Sequence, residues 1–484
     1  MSAGQKPGVY GVLSSVNNRI TNIIHKKDKK LLLAAVCVFV LLIASASVIA
    51  AVVFSRGNQP VTAPSADPEV QLSLLSDVST SEVMISEYYI YGNHLHLEGE
   101  FDGTKYHDFS RVGLVLRKDD GTEKEITLDF SSNNFGTVFF TSSEYINSGI
   151  CLDELAEGDF CVLFKIVDGD KKIYTSAAAL RDFDAVNYYT VTKNGGNRLV
   201  NLGFTAYSAG SGILPCLAIK IEKTALPADV YDIVIDAGHG GGDSGAVYKG
   251  HNEADLTIDY AKALKKELEA LGLKVRMTRE GNEKSGTMTG SAAYNKDGRV
   301  ERACLSGAKY CFAVHFNSVS GNKRTNAHGF QIYCPYGADI SFAQSIADSV
   351  VKNAGARYSP QEFSRVAPGV YIRTFGKKGI EDSKKVAKQY GYKPYETLKE
   401  NTTFYYMIRE TGGVATGAYI DGRSSEFNHN ENESRNSVTG LESYLLEIGY
   451  ICNEDDLANI LNNRDAYAKA IAAAIAKELG ITAK

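Results

Sequence analysis

The chain has 484 residues, 44% apolar and 23% charged, which exceeds the usual size of one domain and supplies apolar material for more than one core. Its formal net charge of −5 lacks the basic surplus of a nucleic-acid binder, so nucleic acid is excluded as the partner. There are 28 Tyr and 20 Phe but no Trp, so stacking on any ligand falls to Tyr or Phe.

Leu31 to Phe54 runs without a charge, long enough as a helix to cross a hydrocarbon core about 30 Å thick. "HKKDKK" (His25 to Lys30) precedes it and only Arg56 follows closely. That lysine excess predicts a cytoplasmic tail over 1–30, a transmembrane helix over 31–54, and the rest of the chain outside the cell, anchored by a single pass in the cell membrane. A cleaved signal peptide is the rival, since "ASASVIA" offers small residues, but its apolar stretch would run only about 7–15 residues. Residues 55–70, rich in Pro, Ser and Ala, read as a linker. Seven cysteines follow the span and none forms a CxxC pair. An odd number cannot all pair within one chain, so a disulfide framework is not expected to organise the fold, although Cys151 and Cys161 could close a short loop.

From 71 to 228 the sequence consists of short, often alternating segments such as "HLHLEGEF", "RVGLVLRK", "GTVFFTS" and "CLAIKIEK", separated by turns such as "DDGT". This predicts an all-β, sandwich-like domain. His94 and His96 fall on what reads as the polar face of one strand, and no third ligand accompanies them.

Beyond 229 strands alternate with helices, which predicts an α/β domain with a mostly parallel twisted sheet flanked by helices. "VYDIVID" is the first strand, and Asn252 caps a helix that begins at Glu253 and ends at Gly272. "LKVRMTR", "YCFAVHF", "GFQIYCP", "FYYMIRE" and "SYLLEIGYI" read as later strands, with helices near 300–307, 338–353 and 454–479. Polar stretches at 376–403 and 412–440 read as insertions or loops of a site.

In an open α/β sheet, ligands gather beyond the carboxyl ends of the strands. His239 stands just past "VIDAG", His315 ends a second strand, and Glu253 opens a helix pointing back to the same rim. Two imidazoles and a carboxylate from separate elements make a His₂Glu set for a catalytic zinc with a position left for water. Glu447 interrupts the apolar run "YLLEIGYI", where an ionised carboxylate is costly unless paired or functional. Beside an activated water it would be a general base. Read one at a time, each histidine is equally a structural residue, Glu447 a partner for an arginine, and the glycine loop a phosphate cradle, although "GHGGGDSG" lacks both the GxGxxG spacing and a P-loop lysine.

"IDAGHGGGDSGA", then Glu253, "VHFN" (Val314 to Asn317) and "LLEIGYICN" (Leu445 to Asn453) resemble, in the family's order, the zinc-dependent N-acetylmuramoyl-L-alanine amidases of the Amidase_3 type. The likeness spans about residues 230–482 and leaves 71–228 uncovered. It implies that His239, Glu253 and His315 bind Zn²⁺ and that Glu447 is catalytic. Arg299 matches the arginine of the family's R-x-x-x-A-N stretch, although Cys304 replaces the Asn, and Asn317 closes a "VHFN" that stands for the commoner "IHAN". Asp236 and Asp243 would orient a histidine or shape the loop, and Arg299 and Asn317 would support the site or the substrate.

The reaction implied is hydrolysis of the amide between N-acetylmuramic acid and the L-alanine of the stem peptide in peptidoglycan, with 229–484 as the catalytic domain. The many glycines would then let a polymer approach the metal. The β domain would bind wall or an envelope protein. The competing reading is a non-catalytic wall-binding envelope protein that retains the fold, and a third is an amidase held inactive by residues 376–440.

Overall fold

The computed structural model describes residues 75–482, apart from 146, 181–184, 194–195, 210–211, 282–298, 305, 320–325, 335–336, 373–376, 379–380 and 382–438. All of these lie in one compact unit, Pro68–Lys484.

The first part is built of β1 (Val78–Tyr91), β2 (His94–Asp102), β3 (Phe109–Lys118), β4 (Glu123–Thr127), β5 (Asp129–Ser132) and β6 (Thr137–Thr141). It continues with β7 (Ile150–Cys151), β8 (Gly158–Asp168), β9 (Lys171–Ala179), β10 (Val186–Tyr189), β11 (Asn197–Ala209) and β12 (Gly212–Thr224). Hydrogen bonding links them in the order β10-β11-β12-β8-β9-β1-β2-β6-β5, with β3 and β4 branching from β8. The expected sandwich is thus one connected sheet. Four steps of strand spacing separate β8 from β6, about 19 Å in a flat sheet. Yet the rings of Phe164 on β8 and Phe140 on β6 lie 4.9 Å apart, so the sheet curls and encloses its own core. Alternation in a sequence assigns faces to strands but does not reveal whether one sheet or two supplies the opposing face.

His96 does not lie on a solvated face. It is buried, stacked on Tyr89 at 4.8 Å, and bonded to Glu98 at 3.0 Å. A disulfide does form, between Cys161 and Cys216, 55 residues apart, and not between Cys151 and Cys161.

The second part contains β13 (Ile233–Ala237), the small hairpin β14 (Val247–Tyr248) and β15 (His251–Asn252), α1 (Glu253–Ala270), β16 (Val275–Met277), α2 (Arg299–Cys304), β17 (Tyr310–Asn317) and β18 (Gln331–Tyr333). Then come α3 (Ser341–Asn353), β19 (Arg365–Ala367), β20 (Val370–Tyr371), β21 (Thr439–Gly440), β22 (Glu442–Tyr450) and α4 (Glu454–Glu478). The sheet order is β16-β13-β17-β22-β18-β20-β19. Every residue of β13 and β22 is buried, as strands covered on both faces must be. The Asn252 side chain accepts from Asp255 N at 2.9 Å and so caps α1, whose Ile258, Ala261, Leu264 and Leu268 face the core. The Tyr260 hydroxyl donates to Ile460 O at 2.7 Å and ties α1 to α4.

Two expectations need correction. The sheet is mixed: β22 and β18 pair antiparallel, as do β19 and β20. An apolar run shows that a strand is buried but carries no sign of its direction. The expected membrane anchor is not supported: among the described residues no helix is long and apolar enough to cross a membrane, and 31–54 lies outside those residues. The single-pass membrane location built on it is withdrawn with it. "FYYMIRE" and almost all of the polar stretches at 376–440 likewise lie outside the described residues.

The two parts share a polar joint. Asn147 Nδ2 donates to Glu442 Oε1 at 3.0 Å and to Asp339 O at 3.1 Å, while Asp339 N donates back to Asn147 Oδ1 at 2.6 Å. Asp232, fully buried, accepts from Thr192 N at 2.9 Å and Lys274 N at 2.7 Å. β13, β17 and β22 are parallel neighbours in the sheet, which places Ala237, His315 and Glu447 toward one rim.

Candidate metal centre

The loop after β13 is held by two fully buried guanidinium groups. Arg279 donates to Ala237 O at 2.7 Å, Gly238 O at 2.8 Å and Ala254 O at 2.8 Å. Arg299 donates to His239 O at 2.8 Å and sits 3.2 Å from Asp236 Oδ1. His239 has φ of 60°, the left-handed region that a side chain normally avoids at a cost of about 1–3 kcal/mol. Such a conformation persists only where the surroundings dictate it, and here carbonyls on both sides of the histidine are clamped.

Two of the loop's glycines serve the site itself. A Cβ at Gly238 would overlap the His315 ring, and one at Gly245 would lie 2.7 Å from both Glu253 Cβ and His239 Cδ2. They make room for the side chains of the site itself. We expect Gly238→Ala to displace His315 and abolish tight metal binding while the β region stays folded; calorimetric metal titration with circular dichroism checks this.

His239, Glu253 and His315 converge, each offering one ligand atom within 4.8 Å of the others. Glu253 Oε1 lies 3.1 Å from His239 Nε2 and 3.2 Å from His315 Nδ1, and accepts from Phe316 N at 2.9 Å. Its Oε2 accepts from Ala246 N at 3.0 Å. The two rings stand edge to face, centroids 4.9 Å apart. His315 offers Nδ1 to the cluster, the nitrogen that faces Glu253 Oε1. The donor set, two nitrogens and one carboxylate oxygen, is one that zinc accepts.

Electrostatics favour that fit at Glu253 and His315 and set a proton against it at His239. Burial pushes the His239 imidazole down, but the Glu253 charge and the hydrogen bonds to Asp243 and Glu253 outweigh it and hold the group up at about 9. Burial pushes the His315 imidazole down to about 4, against the pull of Glu253. Burial also works against the Glu253 carboxylate, yet the two imidazoles hold it well below its usual range. The pocket therefore keeps its carboxylate charged and His315 neutral, as a metal ion requires, while His239 has to release its proton when an ion binds.

Of the remaining residues singled out in the sequence, Asp243 orients the histidine: its Oδ2 lies 2.8 Å from His239 Nδ1, leaving Nε2 for the site. Asp236 does not touch the histidine; it pairs with Arg299 and Thr278. Asn317 donates to Gln331 Oε1 at 2.7 Å. Glu447, 3% exposed, is the register partner of His315 on one side and of Gln331 on the other, so the three form a row across β17, β22 and β18. Sequence reading missed Arg279 and Gln331. Each is a polar side chain in or ending an apolar strand, the same signal that drew attention to Glu447. We expect Asp243→Ala to weaken metal affinity by roughly 10–100-fold, the usual effect of removing the partner of a ligating histidine; competition with a chromophoric chelator measures it.

Residues 233–375 match the family model described as N-acetylmuramoyl-L-alanine amidase. Over 134 residues the chain is 31% identical to the germination-specific N-acetylmuramoyl-L-alanine amidase of Bacillus subtilis (strain 168), which covers 27% of this chain and 56% of that relative. The chain thus spans little more than half of that relative's length. Among solved structures, the amidase AmiC2 of Nostoc punctiforme overlays at 20% identity, covering 53% of this chain and 99% of that one, with a TM-score of 0.32. The N-acetylmuramoyl-L-alanine amidase from Clostridium difficile 630 overlays at 16% identity, covering 52% and 98%, also at 0.32. At such scores the overlays add no weight to the assignment. The resemblance carried by the motifs around His239, Glu253 and His315 stands: residues 233–375 carry an Amidase_3, N-acetylmuramoyl-L-alanine amidase, domain.

Proposed function

We propose that the chain is a zinc-dependent peptidoglycan hydrolase that cleaves the amide joining N-acetylmuramic acid to the L-alanine of the stem peptide. The observation that carries this reading is a single buried carboxylate oxygen, Glu253 Oε1, placed between His239 Nε2 and His315 Nδ1. His239, Glu253 and His315 would hold the ion. A divalent ion there supplies Lewis acidity, polarising the scissile carbonyl and easing deprotonation of water. Asp243 keeps the His239 ring in the orientation that frees Nε2, and Arg299 fixes the backbone of that same residue. Glu447 takes a proton from the attacking water on a carboxylate oxygen and returns it to the leaving amine nitrogen, so that the amide is replaced by a carboxylate and a free amino terminus. The Cys161–Cys216 bridge suits an oxidising compartment, the side of the envelope where peptidoglycan lies.

The test is mass spectrometry of purified peptidoglycan digested with the full-length chain and zinc. Stem peptides with a free L-alanine amino group, together with glycan strands stripped of peptide, support the proposal. Products cut only within the glycan or within the peptide overturn it.

A further inference from the structure

β17 and β22 pair in register from Tyr310 and Glu442 up to His315 and Glu447, but the next pair is Asn317 with Tyr450. Two residues of β17 thus face three of β22. An extra residue in one strand is a bulge, and bulges re-aim side chains next to functional sites. Strict alternation would put Glu447 and Tyr450 on opposite faces, whereas the bulge turns Tyr450 to the face of Glu447. Burial raises the Tyr450 phenol above its usual range, and the Glu447 charge raises it further, so the hydroxyl keeps its proton beside that carboxylate.

Gln331, the register partner of Glu447 on β18, is fully buried and uses its whole hydrogen-bonding capacity. Its Oε1 accepts from Asn317 Nδ2 at 2.7 Å and from the Tyr333 hydroxyl at 3.1 Å. Its Nε2 donates to Ser359 Oγ at 2.9 Å and to the Tyr450 hydroxyl at 3.2 Å. The Tyr450 hydroxyl in turn donates to Gln361 Oε1 at 3.2 Å. A buried amide satisfied at all four points has one orientation, and it imposes one on its neighbours.

We propose that Gln331 is a positioning residue for the amide hydrolysis, acting through Tyr450 to hold the wall against which Glu447 works. The proposal rests on the amidase reading above. It needs no contact between Gln331 and the substrate or the ion, so its loss acts on turnover and not on metal content or substrate affinity.

The experiment compares full-length wild type, Gln331→Leu, Gln331→Glu, Tyr450→Phe and the Leu/Phe double variant on a defined muropeptide, each at measured full zinc occupancy. Gln331→Glu retains both acceptor contacts and loses both donors, which separates the Tyr450 arm from the Asn317 arm. We expect each single variant to lower kcat by roughly 10–100-fold, as loss of an outer partner does, with KM within about threefold of wild type. The double variant should lose no more than the worse single one, because the two residues act as a unit. Tyr450→Phe conserves volume and carries the test if Gln331→Leu does not fold. A wild-type kcat in zinc-loaded Gln331→Glu or Tyr450→Phe, or losses that multiply in the double variant, overturns the positioning role. A zinc-loaded wild type that releases no stem peptide overturns the amidase reading, and the positioning role with it.

Discussion

Glu447→Gln will retain its metal and lose its turnover. The substitution keeps the volume of the side chain, so β22 stays in register with His315 on one side and Gln331 on the other, and the buried row across the three strands is preserved. What disappears is the capacity to take a proton. Proton transfer by a placed side chain contributes typically 10²–10⁴-fold, so kcat should fall by about that factor with little change in KM. The comparison requires equal zinc content in both proteins, because Glu447 is not among the three converging ligand atoms. A Glu447→Gln protein that turns over like wild type removes this residue from the chemistry and leaves the water without a base.

His315→Ala acts earlier, on the ion itself. The ring is buried against Gly238 and Glu253, and its Nδ1 is the nitrogen that faces the Glu253 carboxylate. Zinc affinity should therefore drop by more than the roughly 10–100-fold that follows loss of an outer partner such as Asp243. The effect is also readable without turnover. A ligand that binds only the folded protein raises its stability by about 2.7 kcal/mol when present at a hundredfold excess over its Kd. Wild type should thus melt at a higher temperature with zinc than with a chelator, while His315→Ala should melt at the same temperature in both. Equal zinc-induced shifts in the two proteins would place the ion elsewhere.

The parts of this site that were legible in the sequence share a local signature. His239 and His315 stand near the ends of buried strands, Glu253 opens a helix and Glu447 interrupts a buried strand, and polar groups at such places are few enough to notice. Gln331 in "GFQIYCP" and Arg279 in "LKVRMTR" carry the same signature and were passed over, because an amide or a guanidinium is not itself a reactive group. Their roles appear only when strand order sets Gln331 opposite Glu447 and folds Arg279 back onto the Ala237 and Gly238 carbonyls.

What was not legible depends on partners distant in sequence. The antiparallel course of β18, the curl that brings Phe140 to Phe164, and the pairing of Cys161 with Cys216 are each decided by which segments meet. Periodicity within one segment cannot report that. The glycines show the same limit from the other side. Their number marked the loop as unusual, but only the coordinates reveal that Gly238 and Gly245 yield space to His315, Glu253 and His239.

The most direct measurement is elemental analysis of the purified full-length chain after dialysis against zinc, beside a variant carrying His239→Ala, Glu253→Ala and His315→Ala together. The account predicts about one zinc per wild-type chain, as one His₂Glu set provides, and none above background in the triple variant. Equal zinc in the two proteins, or none in either, would contradict it.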